Sequence, residues 1–132
     1  MGIEKRVLVD MSATLIHHGH IRLLKNAKNY GKVIIALTTD EEILKKKGYI
    51  PELNFNERSE ILLSIKYVDE VIPSNWLIND DFLDLHKIDL LVHGDDNSNQ
   101  ISQNNLVIMP RTKGISSTKL REKAFKIFMQ NQ

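Results

Sequence analysis

Along the chain, short runs of Val, Ile and Leu alternate with stretches in which apolar residues recur every three or four positions. RVLVD at 6–10 reads as a buried strand, and from Gly19 to about Tyr30 the residues Ile21, Leu24 and Ala27 share one helical face. KVIIALT at 32–38 predicts a second buried strand, and Asp40 to Lys47 a short, strongly charged helix. After the irregular GYIPELNF, Asn56 is placed to cap a helix running to about Lys66, with Ile61, Leu62 and Ile65 inward. VDEVIP at 68–73 predicts a short strand closed by Pro73, and Asp80 to His86 a helix. IDLLVHG (88–94) and NLVIMP (105–110) read as strands, and Ser116 to Met129 as the last helix. Strands of this composition, each followed by a helix, predict an α/β fold with a parallel sheet covered on both faces.

Composition narrows the function classes. A chain of 132 residues with 42% hydrophobic and 27% charged positions suits one globular domain, residues 1–132, built round one core. Its net charge of +1 supplies no field to draw it to nucleic acid or to a membrane surface. The chain has no cysteine, which removes disulfides and thiolate metal sites and agrees with a reducing compartment. MGIEKRVLVD is too interrupted for a signal peptide, and no apolar run reaches the roughly 18 residues of a membrane span. The expectation is a cytoplasmic protein with no membrane insertion and no nucleic-acid partner.

In a parallel α/β sheet, ligands bind beyond the carboxyl ends of the strands. Three chemically unusual segments fall there: 11–20, 93–97 and 110–118. The first contains LIHHGHIRLL, which spends three of the five histidines at one strand-to-helix turn. His17 and His20 are three apart at a helix start, so their rings can project to the same side. That start also offers unpaired backbone N–H groups and a positive dipole end, suited to an anion. Two imidazoles there can donate to phosphate oxygens as charge builds in a transition state. A metal site and plain exposed loop residues are the other readings of the turn alone. No third ligand is evident, so no residue is assigned to a metal.

The segment PRTKGISSTKL (110–120) weights the choice toward phosphate. Arg111 supplies a rigid fork of donors, Gly114 a sharp turn, and Ser116, Ser117 and Thr118 hydroxyls and helix-start N–H groups. A serine helix cap alone explains one hydroxyl and not the set.

The histidine turn after the first strand and RTKGISST after the last resemble the cytidylyltransferase family of the nucleotidyltransferase superfamily. TTDE (38–41), YVDEVIP (67–73) and HGDD (93–96) extend the likeness over nearly the whole chain, in the family's order. The likeness is greatest to small bacterial glycerol-3-phosphate cytidylyltransferases. It implies a Rossmann-like five-stranded sheet of order 3-2-1-4-5, Mg²⁺-dependent transfer of CMP from CTP to a small phosphate- or phosphonate-bearing acceptor, and a homodimer. The product would be a CDP-activated precursor for cell-surface polymer or lipid synthesis.

By the same resemblance, His17 and His20 match the catalytic pair, with Arg111 and Lys46 beside them. Arg111 and Thr112 match the nucleotide-binding arginine and threonine, Ile115, Ser116, Ser117 and Thr118 the triphosphate segment, and Gly94 and Asp96 the bounds of the cytosine pocket. Ser12 and Ala13 fall on the nucleotide side. Lys46 sits in LKKKG, where Lys45 and Lys47 are alternative registers. Lys46, Lys66, Trp76 and Thr14 are the acceptor-side residues. Glycerol-3-phosphate enzymes commonly read Gly-Thr-Phe-Asp where this chain has Met11, Ser12, Ala13 and Thr14. Asn97 replaces a tryptophan, and Lys66 an arginine. DMSATLIHHGH and VHGDD look more like enzymes acting on ethanolamine phosphate or small phosphonates. An adenylyltransferase using ATP and an idle nucleotide-binding module are the competing readings.

Overall fold

The computed structural model describes residues 4–95 and 98–132, with the side chain of Gln103 left aside. β1 (Arg6–Met11) runs between β2 (Lys32–Thr38) and β4 (Leu90–Gly94), with β3 (Glu70–Ser74) outside β2 and β5 (Leu106–Met109) outside β4. All pairings are parallel, so the order is 3-2-1-4-5, as the resemblance implies.

The two faces of the sheet bury different sets because side chains alternate along a strand. Val7 and Val9 of β1 pack with Leu24 and Ala27 of α1 (His18–Lys28) and Leu62 of α3 (Phe55–Leu63). Leu8 faces the other way, onto Ile78, Ile88 and Leu83 of α4 (Asp80–Leu85). Each such side chain, fully enclosed, is worth about 1.5–3 kcal/mol. α2 (Asp40–Lys47) follows β2, and α5 (Ser117–Gln130) follows β5.

Two of the boundary differences from the periodicity have a clear physical cause. α3 starts at Phe55 and is capped by Asn54, whose Oδ1 accepts from Glu57 N at 2.9 Å while Glu57 Oε1 accepts from Asn54 N at 2.9 Å. That reciprocal box outcompetes a cap at Asn56, which lies inside the helix. β3 begins at Glu70 and retains Pro73, which an edge strand tolerates because one side of it needs no donor. The link from α3 to β3 therefore returns to the amino edge of the sheet. Lys66 lies in that link, exposed, with Nζ 5.3 Å over the Tyr67 ring.

One buried cation joins the strand ends. Arg58 of α3 is completely enclosed. Its Nη1 donates to Ser12 O at 2.6 Å and Thr38 O at 3.0 Å, and its Nε donates to Leu53 O at 3.1 Å. Nη2 pairs with Asp40 Oδ1 at 2.6 Å. Arg58→Met would keep the volume and leave three carbonyls without their donor, at about 1–3 kcal/mol each. A stability loss of at least about 3 kcal/mol is expected from the denaturant midpoint; a loss under 1 kcal/mol would show that water takes over those carbonyls.

Candidate active site

The carboxyl ends of β1, β4 and β5 open into a cleft of about 400 Å³. β1 leads into it through Ser12, Ala13 and Thr14, with Ala13 at φ 45°, a left-handed conformation that a residue with a Cβ rarely holds. Arg58 Nη1, donating to Ser12 O, is one of the contacts that hold this turn in place.

The histidines occupy helix-capping positions usually filled by smaller side chains. His17 is the N-cap of α1, its Nδ1 accepting from Gly19 N at 3.0 Å; His20 Nδ1 reaches back to accept from His17 N at 3.1 Å. Each ring thus uses Nδ1 as an acceptor, which places its proton on Nε2. Two Nε2–H donors are left for the cleft, on rings whose centroids are 4.0 Å apart. Gly19 makes room for this. A Cβ there would stand 2.8 Å from His17 Cε1 and 2.9 Å from Nδ1, inside contact distance. His18 is exposed and lies only edge-on to His17, at 6.2 Å.

Electrostatics keep both rings neutral. Burial, and then the adjacent His17, pushes His20 down to about 4. Burial first, then the charges of His18 and Arg111, holds His17 below its ordinary value. In the unfolded chain a histidine titrates near 6.5, so between about 4 and 6.5 the unfolded state binds more protons at His20 than the folded one. The contribution of His20 to stability is complete above about pH 6.5 and is lost as pH falls toward 4, and His17 shifts in the same direction. The thermal midpoint should therefore drop across that window, and less in a His20→Gln variant. An equal drop in both would remove His20 from the acid response.

β5 delivers Arg111, Thr112 and Ile115 to Thr118 to the same cleft. Gly114, at φ 81°, makes the turn that brings α5 back toward α1. Ser116 caps α5, its Oγ accepting from Lys119 N at 3.0 Å. Ser117 Oγ donates to Leu15 O at 2.7 Å and accepts from Leu15 N at 3.2 Å, stitching α5 to the turn before α1. These two hydroxyls therefore build the site, while Thr118 is exposed at its mouth. Ser12, Ala13, Thr14, Gly94 and Trp76 also line the cleft. Asp96 lies outside the described residues.

Two lysines are placed elsewhere than the sequence predicts. Lys46 is exposed and does not line the cleft; Lys47 lines it, with Nζ 5.5 Å over the Trp76 ring. One residue along a helix is a turn of about 100°, and the docking of α2 decides which lysine faces inward. Lys66 is at the opposite edge of the sheet and does not line the cleft.

Sequence reasoning missed a carboxylate. Asp10, at the end of β1, lines the cleft with its side chain 12% exposed. Its Oδ2 accepts from Asn99 Nδ2 at 2.8 Å, and Oδ1 lies 3.3 Å from His93 Nε2. Asn99 Oδ1 in turn accepts from Ile78 N at 2.8 Å. An acidic residue directly after the Val7-Leu8-Val9 run of a buried strand was the available signal. Among the described residues, no group of His, Asp and Glu is arranged to hold a metal ion. No helix of the described residues is long and apolar enough to cross a membrane.

Comparison with known proteins places this geometry. Residues 12–123 match the cytidylyltransferase-like family. The chain is 42% identical over 127 residues to a glycerol-3-phosphate cytidylyltransferase of Bacillus subtilis, covering 89% of this chain and 95% of that one. It is 35% identical over 97 residues to an ethanolamine-phosphate cytidylyltransferase of Arabidopsis thaliana, covering 69% of this chain and 23% of that protein. In structure, it is similar to a lipopolysaccharide core biosynthesis protein of Thermoplasma volcanium, with TM-score 0.63 at 22% identity over 94% of this chain and 88% of that one. That last likeness is one of fold.

Proposed function

The chain belongs to the cytidylyltransferase-like family, and on that premise we propose that it transfers CMP from CTP to a small phosphorylated alcohol of the glycerol 3-phosphate kind. An acceptor phosphate oxygen attacks the α-phosphorus of CTP. The bond to the oxygen bridging the α- and β-phosphates breaks, and pyrophosphate leaves with that electron pair. Both reactants are anions, so the protein's task is alignment and charge neutralisation, with no covalent intermediate.

The observation that carries this reading is the reciprocal capping of His17 and His20. It holds two neutral Nε2–H donors toward the cleft, ready for the oxygens of the α-phosphate as it reacts. The N-terminus of α1 and Arg111 add positive charge on the nucleotide side. Lys47 takes the role that sequence reasoning assigned to Lys46. Magnesium enters as part of the triphosphate substrate. Asp10 is the one carboxylate among the described lining residues, too few oxygen ligands for a protein-held ion. A homodimer working in the cytoplasm completes the proposal, open to sedimentation and cell fractionation.

Pyrophosphate release with CTP against ATP tests the reading. A site built round the hydrogen-bonding groups of its substrate can discriminate by about 10⁴. Equal rates would leave an adenylyltransferase or a general nucleotidyltransferase, and no release with any acceptor would leave an idle binding module.

Asp10 supports a second acceptor. In a cleft that otherwise gathers donors and cations, a carboxylate favours an acceptor whose far end carries an ammonium, as phosphoethanolamine or an aminophosphonate does. On this reading Asp10→Asn raises KM for phosphoethanolamine by about 10-fold and leaves glycerol 3-phosphate unaffected. An equal change for both acceptors would exclude it.

A further inference from the structure

Between α2 and α3 the chain crosses the rim of the cleft without regular structure. α2 ends at Lys47 and is capped by Gly48, with φ 79°, and Lys47 and Tyr49 on either side of that glycine line the cleft. Such a stretch keeps its place only through side-chain ties, and a prominent one comes from α5. Arg121 grips Glu52 with two prongs, Nε to Oε2 at 2.5 Å and Nη2 to Oε1 at 2.5 Å. Its guanidinium carbon lies 4.5 Å from the Tyr49 ring centroid, and Nη1 donates to the Tyr49 hydroxyl at 3.2 Å. Nη2 also donates to the Thr14 hydroxyl at 3.2 Å, and Thr14 is buried. One guanidinium therefore joins the helix of the hydroxyl segment, the strap that carries Lys47 and Tyr49, and the turn that leads to the histidines.

We propose that Arg121 is a positioning residue for acceptor binding, holding the Lys47–Tyr49 strap against Thr14 as a fixed wall of the cleft. The inference rests on the reading above, in which Lys47 meets the acceptor phosphate. The pair itself is partly exposed, with Arg121 at 25% and Glu52 at 47%, so it adds little to global stability. Its value is geometric: two prongs, an aromatic face and a buried hydroxyl leave the strap one position. Arg121 holds the Glu52 carboxyl below its ordinary range, so the pair stays ionised through neutral pH.

The test is steady-state pyrophosphate release by the full chain, with glycerol 3-phosphate and phosphoethanolamine as acceptors, for Arg121→Gln, Glu52→Gln and the double variant. Displacing a positioning element typically costs about 10-fold to 100-fold. Each single variant should raise KM for the acceptor by about 10-fold, with KM for CTP and the thermal midpoint nearly unchanged. The double variant should be no worse than either single one, because both remove the same tie. Arg121→Lys, which keeps charge but not the fork, should fall between wild type and Arg121→Gln. An unchanged acceptor KM overturns the proposal. So does a loss shared by both substrates together with the thermal midpoint, the mark of a merely structural role. Lys47→Ala separates the two layers. If it leaves acceptor KM untouched, the acceptor reading of this wall falls. If it raises acceptor KM while the Arg121 and Glu52 variants do not, that reading stands and the positioning role falls.

Discussion

His17→Asn and His20→Gln are expected to fold like the wild type and to turn over about 10²–10³ times more slowly, the usual cost of one preorganised donor to a developing oxyanion. The choice of substitutions follows from the capping geometry. Asparagine is among the best N-cap residues, and its Oδ1 can accept from the Gly19 amide as His17 Nδ1 does. Glutamine at the third helical position is the usual partner of a capping box, so it can accept from His17 N in place of His20 Nδ1. Both variants keep the start of α1 and replace the imidazole Nε2–H with an amide N–H displaced from its position. Alanine would remove cap and donor together and confuse the two. His18→Ala, on the exposed ring between them, should leave kcat within about two-fold, since a surface change away from such features is usually small. The measurements are kcat by pyrophosphate release and the thermal midpoint by circular dichroism. Wild-type turnover in either substituted enzyme would reduce the histidines to helix caps.

Gly19→Ala is expected to lower activity far more than stability. In a helix, alanine is favoured over glycine by roughly 0.5–1 kcal/mol, which offsets much of the about 1 kcal/mol lost with the His17 cap, so the thermal midpoint should stay near that of the wild type. The added Cβ, 2.8 Å from His17 Cε1, forces the ring out of its cap. The displaced ring no longer presents its Nε2–H beside that of His20, and a shift near 1 Å at a reacting centre can cost about 10²-fold. A fall of that order in kcat, with CTP binding largely kept, is the expected outcome. Full activity would mean that the position of the His17 ring is not critical, which would count against the donor role assigned to it. A lowered midpoint would instead point to general disruption of the turn.

The parts of this protein written locally could be read from the chain. Val, Ile and Leu runs separated by helical periods specify a covered parallel sheet, because burial on both faces leaves no polar alternation. The His17–Gly19–His20 turn is legible for the same reason, since its capping partners lie within three residues, and the hydroxyls of Arg111–Thr118 are legible as a local cluster although Ser117 pairs with the distant Leu15. Even the box of Asn54 and Glu57 stands in the sequence, three apart, although the competing Asn56 obscured it.

What only the tertiary structure decided are pairings between distant residues, which leave no period to find. Arg58 reads as an ordinary surface cation of a charged helix, yet it is enclosed because Ser12 O, Thr38 O and Leu53 O converge there from three separate segments. Asp10 meets Asn99, 89 positions away, and Arg121 meets Glu52, 69 positions away. Lys46 and Lys47 are chemically the same residue, and the rotation at which α2 docks after β2 turns the second of them toward Trp76. Lys66 carries charge that sequence alone could place at the acceptor. Because α3 runs back along the sheet, the chain delivers it to the edge where the strands begin, a full strand length from the cleft.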